Sequence, residues 1–317
     1  MSLFEKLYTL IILLAVVIGI GIGQMDLIRV NAESFIVPLL VAMLYITFLQ
    51  IPIEEIKKAF KNIKFTYTSV TINFVWTPIL AWVLAMIFLG DNPALYIGFI
   101  MLMVTPCTDW YLIFTGIAKG NVALSTAILP LNLILQVILL PIYLLIFGGT
   151  TGVIELGFLV ESILIVLFIP LVLALITKLL LRNKQQLRES FISKLSVYPT
   201  IFLSLAIIAM FASQGQLLLD NLDLIWQITL PLLLFFVINF IFSQKVGRVM
   251  KYSYSDRTSL SLNTLARNSP IALAIAMTAF PDQPLIALVL VIGPLLELPV
   301  LAVITQLLLF FNKNKSQ

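Results

Sequence analysis

The chain has 317 residues, 61% of them hydrophobic and only 11% charged, with a mean hydropathy of +1.11. A soluble globule, with an apolar share of about one half, is excluded. Cys107 is the one cysteine and there is no histidine, which removes a disulfide framework, a multi-thiolate metal cage, and the commonest metal ligand and general base. The net charge of +4 is explained by membrane topology and does not require a nucleic-acid partner.

A helix needs roughly 20 apolar residues to cross a ~30 Å hydrocarbon core. Uncharged apolar runs of that kind predict ten spans: 7–23, 35–50, 66–89, 94–115, 121–147, 156–177, 197–213, 222–243, 258–279 and 285–311. The first follows Lys6 as a signal peptide would, but no small-residue cleavage site succeeds it, and it is read as a span. Its Gly19-Ile20-Gly21-Ile22-Gly23 run has no strand or crossover around it, so the glycines predict close helix packing and not a dinucleotide fingerprint. In alternate loops, 17 of the 19 lysines and arginines fall on one side, and the opposite side holds Arg29 alone. Both termini are therefore expected in the cytoplasm, with the chain a multi-pass protein of the cell membrane whose surroundings are lipid.

The two halves repeat their punctuation. Trp76-Thr77-Pro78 in the third span answers Thr229-Leu230-Pro231 in the eighth, and Leu129-Pro130-Leu131-Asn132 in the fifth answers Gly293-Pro294-Leu295-Leu296-Glu297 in the tenth. Between them lie the most polar spans, the fourth with Thr105-Pro106-Cys107-Thr108-Asp109 and the ninth with Asn263-Thr264-Leu265-Ala266-Arg267-Asn268-Ser269-Pro270. Five is an odd number of spans, so a second copy enters the membrane from the opposite side. The expected fold is an all-α membrane protein of ten transmembrane helices in one transporter domain. Two inverted five-helix repeats, 1–150 and 151–317, each contain one broken helix, and the broken fourth and ninth helices cross. No Walker-type loop or soluble domain points to an ATP-driven pump or an enzyme, and the polar residues are clustered singly, unlike the rings of a channel.

Ionisable residues inside a membrane persist where they pair or line a pathway. Asp109, Arg267 and Glu297 lie mid-span, and Glu161 about one turn inside the sixth span. Asp109 and Arg267 read either as an ion pair between crossing helices or as substrate ligands. Glu297, flanked by Pro294 and Pro299, reads as a coupling-ion ligand or proton carrier, with a helix-kink hydrogen bond as its structural alternative. Pro106 and Pro270 predict helix breaks whose N-terminal ends favour anions and whose unwound carbonyls favour Na⁺. Thr105, Thr108, Asn132, Gln136, Asn263, Thr264, Asn268 and Ser269 add neutral ligands, and Na⁺ is expected near Glu297 and Asn268. Cys107 is either a small core hydrophobe or a soft ligand activated by a half-helix N-terminus.

These residues resemble the bile acid/sodium symporter superfamily and, within it, the arsenical-resistance carriers. The resemblance covers essentially the whole chain and rests on the Thr105-Pro106-Cys107-Thr108-Asp109-Trp110 run, Leu135-Gln136-Val137, Ala266-Arg267-Asn268-Ser269-Pro270 and Gly293-Pro294-Leu295-Leu296-Glu297-Leu298-Pro299-Val300. Cys107, Gln136 and Glu297 match the positions of that branch's functional cysteine, helix-5 glutamine and helix-10 glutamate. Where the branch has Ser-Asn-Asn-x-Glu in the ninth span, this chain reads Asn268-Ser269-Pro270-Ile271-Ala272, without the acid. The resemblance implies a core of helices 3–5 and 8–10 moving against a panel of helices 1, 2, 6 and 7. It also implies ion-gradient-coupled efflux of arsenite or a related small metalloid or anion, by antiport on Na⁺ or H⁺ and with no bound cofactor. Sodium-coupled uptake of an organic anion, bile-acid-like or a keto acid, is the alternative.

Overall fold

The computed structural model describes residues 3–50, 60–107, 110–149, 157, 161–162, 164–181, 192, 194–195, 197–220 and 222–313. The described chain is helical, in the order α1 (Leu3–Ile22), α2 (Asp26–Gln50), α3 (Ile63–Leu89), α4 (Pro93–Met103), α5 (Trp110–Ile117), α6 (Val122–Gly148), α7 (Leu164–Leu180), α8 (Tyr198–Asp220), α9 (Leu222–Val249), α10 (Tyr254–Leu265), α11 (Ser269–Ala279) and α12 (Pro284–Lys313). Among the described residues, six helices are long and apolar enough to cross a membrane: α2, α3, α6, α8, α9 and α12. Shorter apolar helices stand at Leu13–Ile22, Pro93–Met103, Leu164–Leu180 and Ser269–Ala279. The protein is thus a multi-pass membrane protein.

Asparagine and serine side chains fix where helices begin. Asn62, Asn92, Asn121, Ser253 and Asn268 each accept a hydrogen bond from a main-chain N–H three residues on, at 3.1–3.3 Å, satisfying a donor that the first turn leaves orphaned. The second helix starts earlier than the predicted span, at Asp26, whose carboxylate pairs with Arg29 at 2.6 Å on the exposed side of the first turn. The fourth and ninth spans each divide in two. In the ninth the break covers Ala266–Asn268, and Pro270 lies within the first turn of α11, not in the break itself. Proline suits that place, since the N–H it lacks would have had no helical partner there.

The helices pack in two groups. In one, α2 and α8 lie along each other, with α1 on α8 and α7 on α2. Gly19 and Gly23 allow the approach of α1, because a Cβ on Gly19 would stand 2.7 Å from the carbonyl oxygen of Ile208 and one on Gly23 2.5 Å from that of Ala212. Gly21 has nothing within 4 Å, so it lies off that face. In the other group, α4 packs on α3 and α12, α9 on α3 and α10, and α11 on α12. Gly98 on α4 and Gly293 on α12 bring those two helices together; a Cβ on Gly98 would lie 2.9 Å from the Ile286 carbonyl oxygen. The close approach sets Glu297, one turn after Gly293, against the broken helices.

Candidate functional site at the crossing of the broken helices

The non-helical segments between α4 and α5 and between α10 and α11 meet as a single antiparallel β-bridge, Pro106 opposite Arg267. The main-chain N–H of Cys107 donates to Ala266 O at 2.9 Å, and that of Asn268 donates to Thr105 O at 2.7 Å. Both bonds come from residues flanking the bridged pair, so Pro106 sits at a position that needs no N–H. Inside a bilayer, irregular backbone is tolerated only where its polar groups are paired within the protein.

The prolines extend the same accounting. Each removes the donor for the carbonyl four residues earlier, and four such carbonyls find other partners. Phe74 O, released by Pro78 just past a π-turn at Ile72–Trp76, accepts the Tyr143 hydroxyl at 2.5 Å. Leu102 O, released by Pro106, accepts Thr105 Oγ1 at 3.0 Å. Ala266 O, released by Pro270, takes the Cys107 N–H already described. Leu290 O, released by Pro294, accepts a hydrogen bond from Ser269 Oγ.

Arg267 is 2% exposed and Glu297 4%. The guanidinium donates to Met103 O at 2.8 Å, Leu265 O at 3.1 Å, Asn73 Oδ1 at 3.3 Å and Thr264 O. Glu297 Oε1 instead accepts the main-chain N–H of Arg267, at 2.9 Å. A cavity beside them is lined by Leu203 and Ile207 of α8 together with Arg267, Ser269, Pro270 and Glu297, so it lies between the two helix groups.

A second polar string runs behind the end of α10. Asn132 Nδ2 donates to Asn263 Oδ1 at 2.8 Å, and Asn263 Nδ2 donates to Ser69 Oγ. Gln136, one turn beyond Asn132 on α6, is fully buried with neither Oε1 nor Nε2 hydrogen-bonded, and Asn132 Oδ1, Asn73 Nδ2 and Asn239 Oδ1 are likewise unpartnered. Buried amide groups without partners are costly, and they mark places where water or a ligand binds.

Cys107, Thr105, Arg267, Asn268, Ser269 and Glu297 thus come together at the crossing, and Asn132, Gln136 and Asn263 lie along the adjoining string. Thr108 and Asp109 lie outside the described residues, and with them any Asp109–Arg267 pairing. Glu161 is exposed. Sequence reasoning missed Asn73 and Asn239. Asn239 Nδ2 donates to Thr264 O at 2.5 Å, so both asparagines attend the same helix end as Arg267. Their signal in the sequence is a shared triplet, Ile72-Asn73-Phe74 and Ile238-Asn239-Phe240.

An all-helical membrane protein whose two broken helices meet at a buried polar crossing has the features of a secondary transporter. Residues 37–221, more than half of the chain, match the model of the Sodium Bile acid symporter family, and the chain belongs to that family of transmembrane transporters. It is 24% identical to the arsenical-resistance protein Acr3 of Corynebacterium glutamicum, over 98% of this chain and 90% of that one. It is 26% identical to an uncharacterized transporter of Synechocystis sp., over 97% and 88%, and 22% identical to the arsenical-resistance protein Acr3 of Alkaliphilus metalliredigens, over 96% and 92%.

Proposed function

We propose that the protein is a ten-span carrier with inverted five-helix repeats that exports arsenite or a related small neutral metalloid hydroxide from the cell, driven by an ion gradient. The observation that carries this reading is how the site distributes its charge. Arg267 is engaged by main-chain carbonyls and an asparagine, whereas the amide atoms left without partners, both of Gln136 with Asn132 Oδ1 on the adjoining string and Asn73 Nδ2 beside the guanidinium, are neutral. Neutral amides match the hydroxyls of an uncharged metalloid acid better than the carboxylate of an organic anion, which asks for a cation of its own. The arsenical-resistance relatives support the same substrate class.

In this reading Cys107 is the soft ligand. One thiolate captures a trivalent arsenical weakly and releases it, where three would trap it. Glu297 carries the coupling proton or orients the main chain of Arg267. Helices α3–α6 and α9–α12 form the core that moves against α1, α2, α7 and α8, with the cavity between the two groups as the route to the site. The positive loops assign both termini to the cytoplasm, so tags there are expected to stay inaccessible from outside intact cells.

The test is transport by inside-out vesicles of arsenite against organic anions, with Na⁺ and proton gradients imposed separately, alongside Cys107→Ser in an arsenite-sensitised cell. The wild type is expected to confer resistance and the serine variant to lose it while remaining folded. Full resistance with serine, or sodium-driven organic-anion uptake without any arsenite transport, would overturn the reading in favour of an organic-anion symporter.

A further inference from the structure

A helix C-terminus presents carbonyls that no following N–H satisfies, and it carries about half a negative charge. The crossing brings two such ends together, those of α4 and α10. Arg267 reaches both, through Met103 O on the first and Thr264 O and Leu265 O on the second, with Asn73 Oδ1 as a fourth oxygen. The ring of Phe235 faces the same cation, its centroid 5.5 Å from Arg267 Cζ. Converging carbonyl and amide oxygens at unwound helix ends are the donor set that a sodium ion selects in a transporter. Here a guanidinium occupies it.

Between the guanidinium and the two helix ends the charges balance, with Glu297 counted apart as the carrier of the coupling proton. Two half-charges face one full positive charge, and a second cation among the same oxygens would meet the guanidinium at contact distance, where repulsion in a low-dielectric interior is large. Of the other oxygens expected near sodium, Glu297 Oε1 accepts the Arg267 main-chain N–H and Asn268 Oδ1 caps α11.

We infer that Arg267 is a tethered cation, its guanidinium holding permanently the seat between the half-helix carbonyls that a mobile sodium ion would take, so that this member of a sodium symporter family works without sodium. The inference rests on the carrier reading above, but it concerns the ion and not the cargo. Arg267 acts as a positioning residue that neutralises two helix ends.

The test uses the purified full chain and no substrate, so its outcome is independent of whether arsenite is the cargo. Thermal unfolding midpoints are compared in sodium chloride, potassium chloride and choline chloride at matched ionic strength, with binding of radioactive sodium measured in parallel. Wild type is expected to show the same midpoint in all three salts and no sodium binding. Arg267→Ala empties the seat and is expected to acquire a sodium-specific upward shift of about 2 °C or more. Arg267→Lys keeps a charge there and is expected to remain indifferent. Should Arg267→Ala not fold, the wild-type and Arg267→Lys comparisons still decide. Sodium-specific stabilisation or binding in either one overturns the inference, as does a folded Arg267→Ala that ignores sodium.

Discussion

The helices α1, α2, α7 and α8 and the crossing of the broken helices solve the same problem, burial of backbone in a bilayer, in opposite ways. In the first region the backbone satisfies itself mostly within helices, with a π-helical stretch at Leu164–Phe168 in α7, and small residues such as Gly19 and Gly23 let those helices approach. At the crossing the backbone is interrupted, and carbonyls left without a helical donor are covered from elsewhere, by Thr105, Ser269, the Cys107 N–H and Arg267. The first solution yields a stiff wall. The second yields a polar site whose parts come from distant stretches of chain and which a ligand or a proton can disturb.

The largest difference between the two regions is expected at Glu297. Glu297→Gln keeps an acceptor for the Arg267 main-chain N–H, so the protein is expected to fold while transport loses its dependence on the imposed ion gradient. Gradient-driven and gradient-free flux in vesicles measure this, and coupling retained by the glutamine variant would reduce Glu297 to a structural role.

The wall is broken by bulk instead of charge. Gly23→Leu places side-chain atoms where the Ala212 carbonyl already stands and is expected to cost about 1–3 kcal/mol of stability, read as a lower unfolding midpoint, with the surviving protein transporting at a normal rate per molecule. A loss of transport without a loss of stability would mean that the α1–α8 contact moves during the cycle.

Ser269→Ala removes the donor that covers the carbonyl released by Pro294. A cost of about 1 kcal/mol is expected. Because Ser269 also lines the cavity, the change is expected to alter transport as well as the midpoint. The smallest effect belongs to the wall: Tyr45 shares a hydroxyl–hydroxyl bond of 3.0 Å with Thr177, which bonds Leu173 O as well. Tyr45→Phe is expected to cost about 0.5 kcal/mol and to leave transport unchanged.

The sequence announced the site's position better than its wiring. Pro106 and Pro270, set in the two most polar apolar runs, mark the broken helices because a proline cannot complete a helical ladder in any surroundings. Gly19 and Gly23 were legible as packing residues for an equally local reason, the absence of a side chain. Asn73 carried no such mark. It matters because a π-turn ahead of Pro78 helps set its Oδ1 at the guanidinium, and nothing nearby in the chain reveals that partner, 194 residues away.

What the sequence determined by itself was the class of the molecule. Hydropathy, charge asymmetry and proline placement are one-dimensional properties, and they dictate a multi-pass helical protein with interrupted helices because the bilayer penalises every alternative. What only the tertiary structure decided was the employment of Arg267. A buried arginine in a sequence awaits a carboxylate or a substrate. Folded, it meets the carbonyl ends of two half-helices, one of them reached through Met103, 164 residues earlier. Those carbonyls become acceptors only where the helices stop and cross, so the negative potential that the guanidinium answers comes into being with the three-dimensional arrangement.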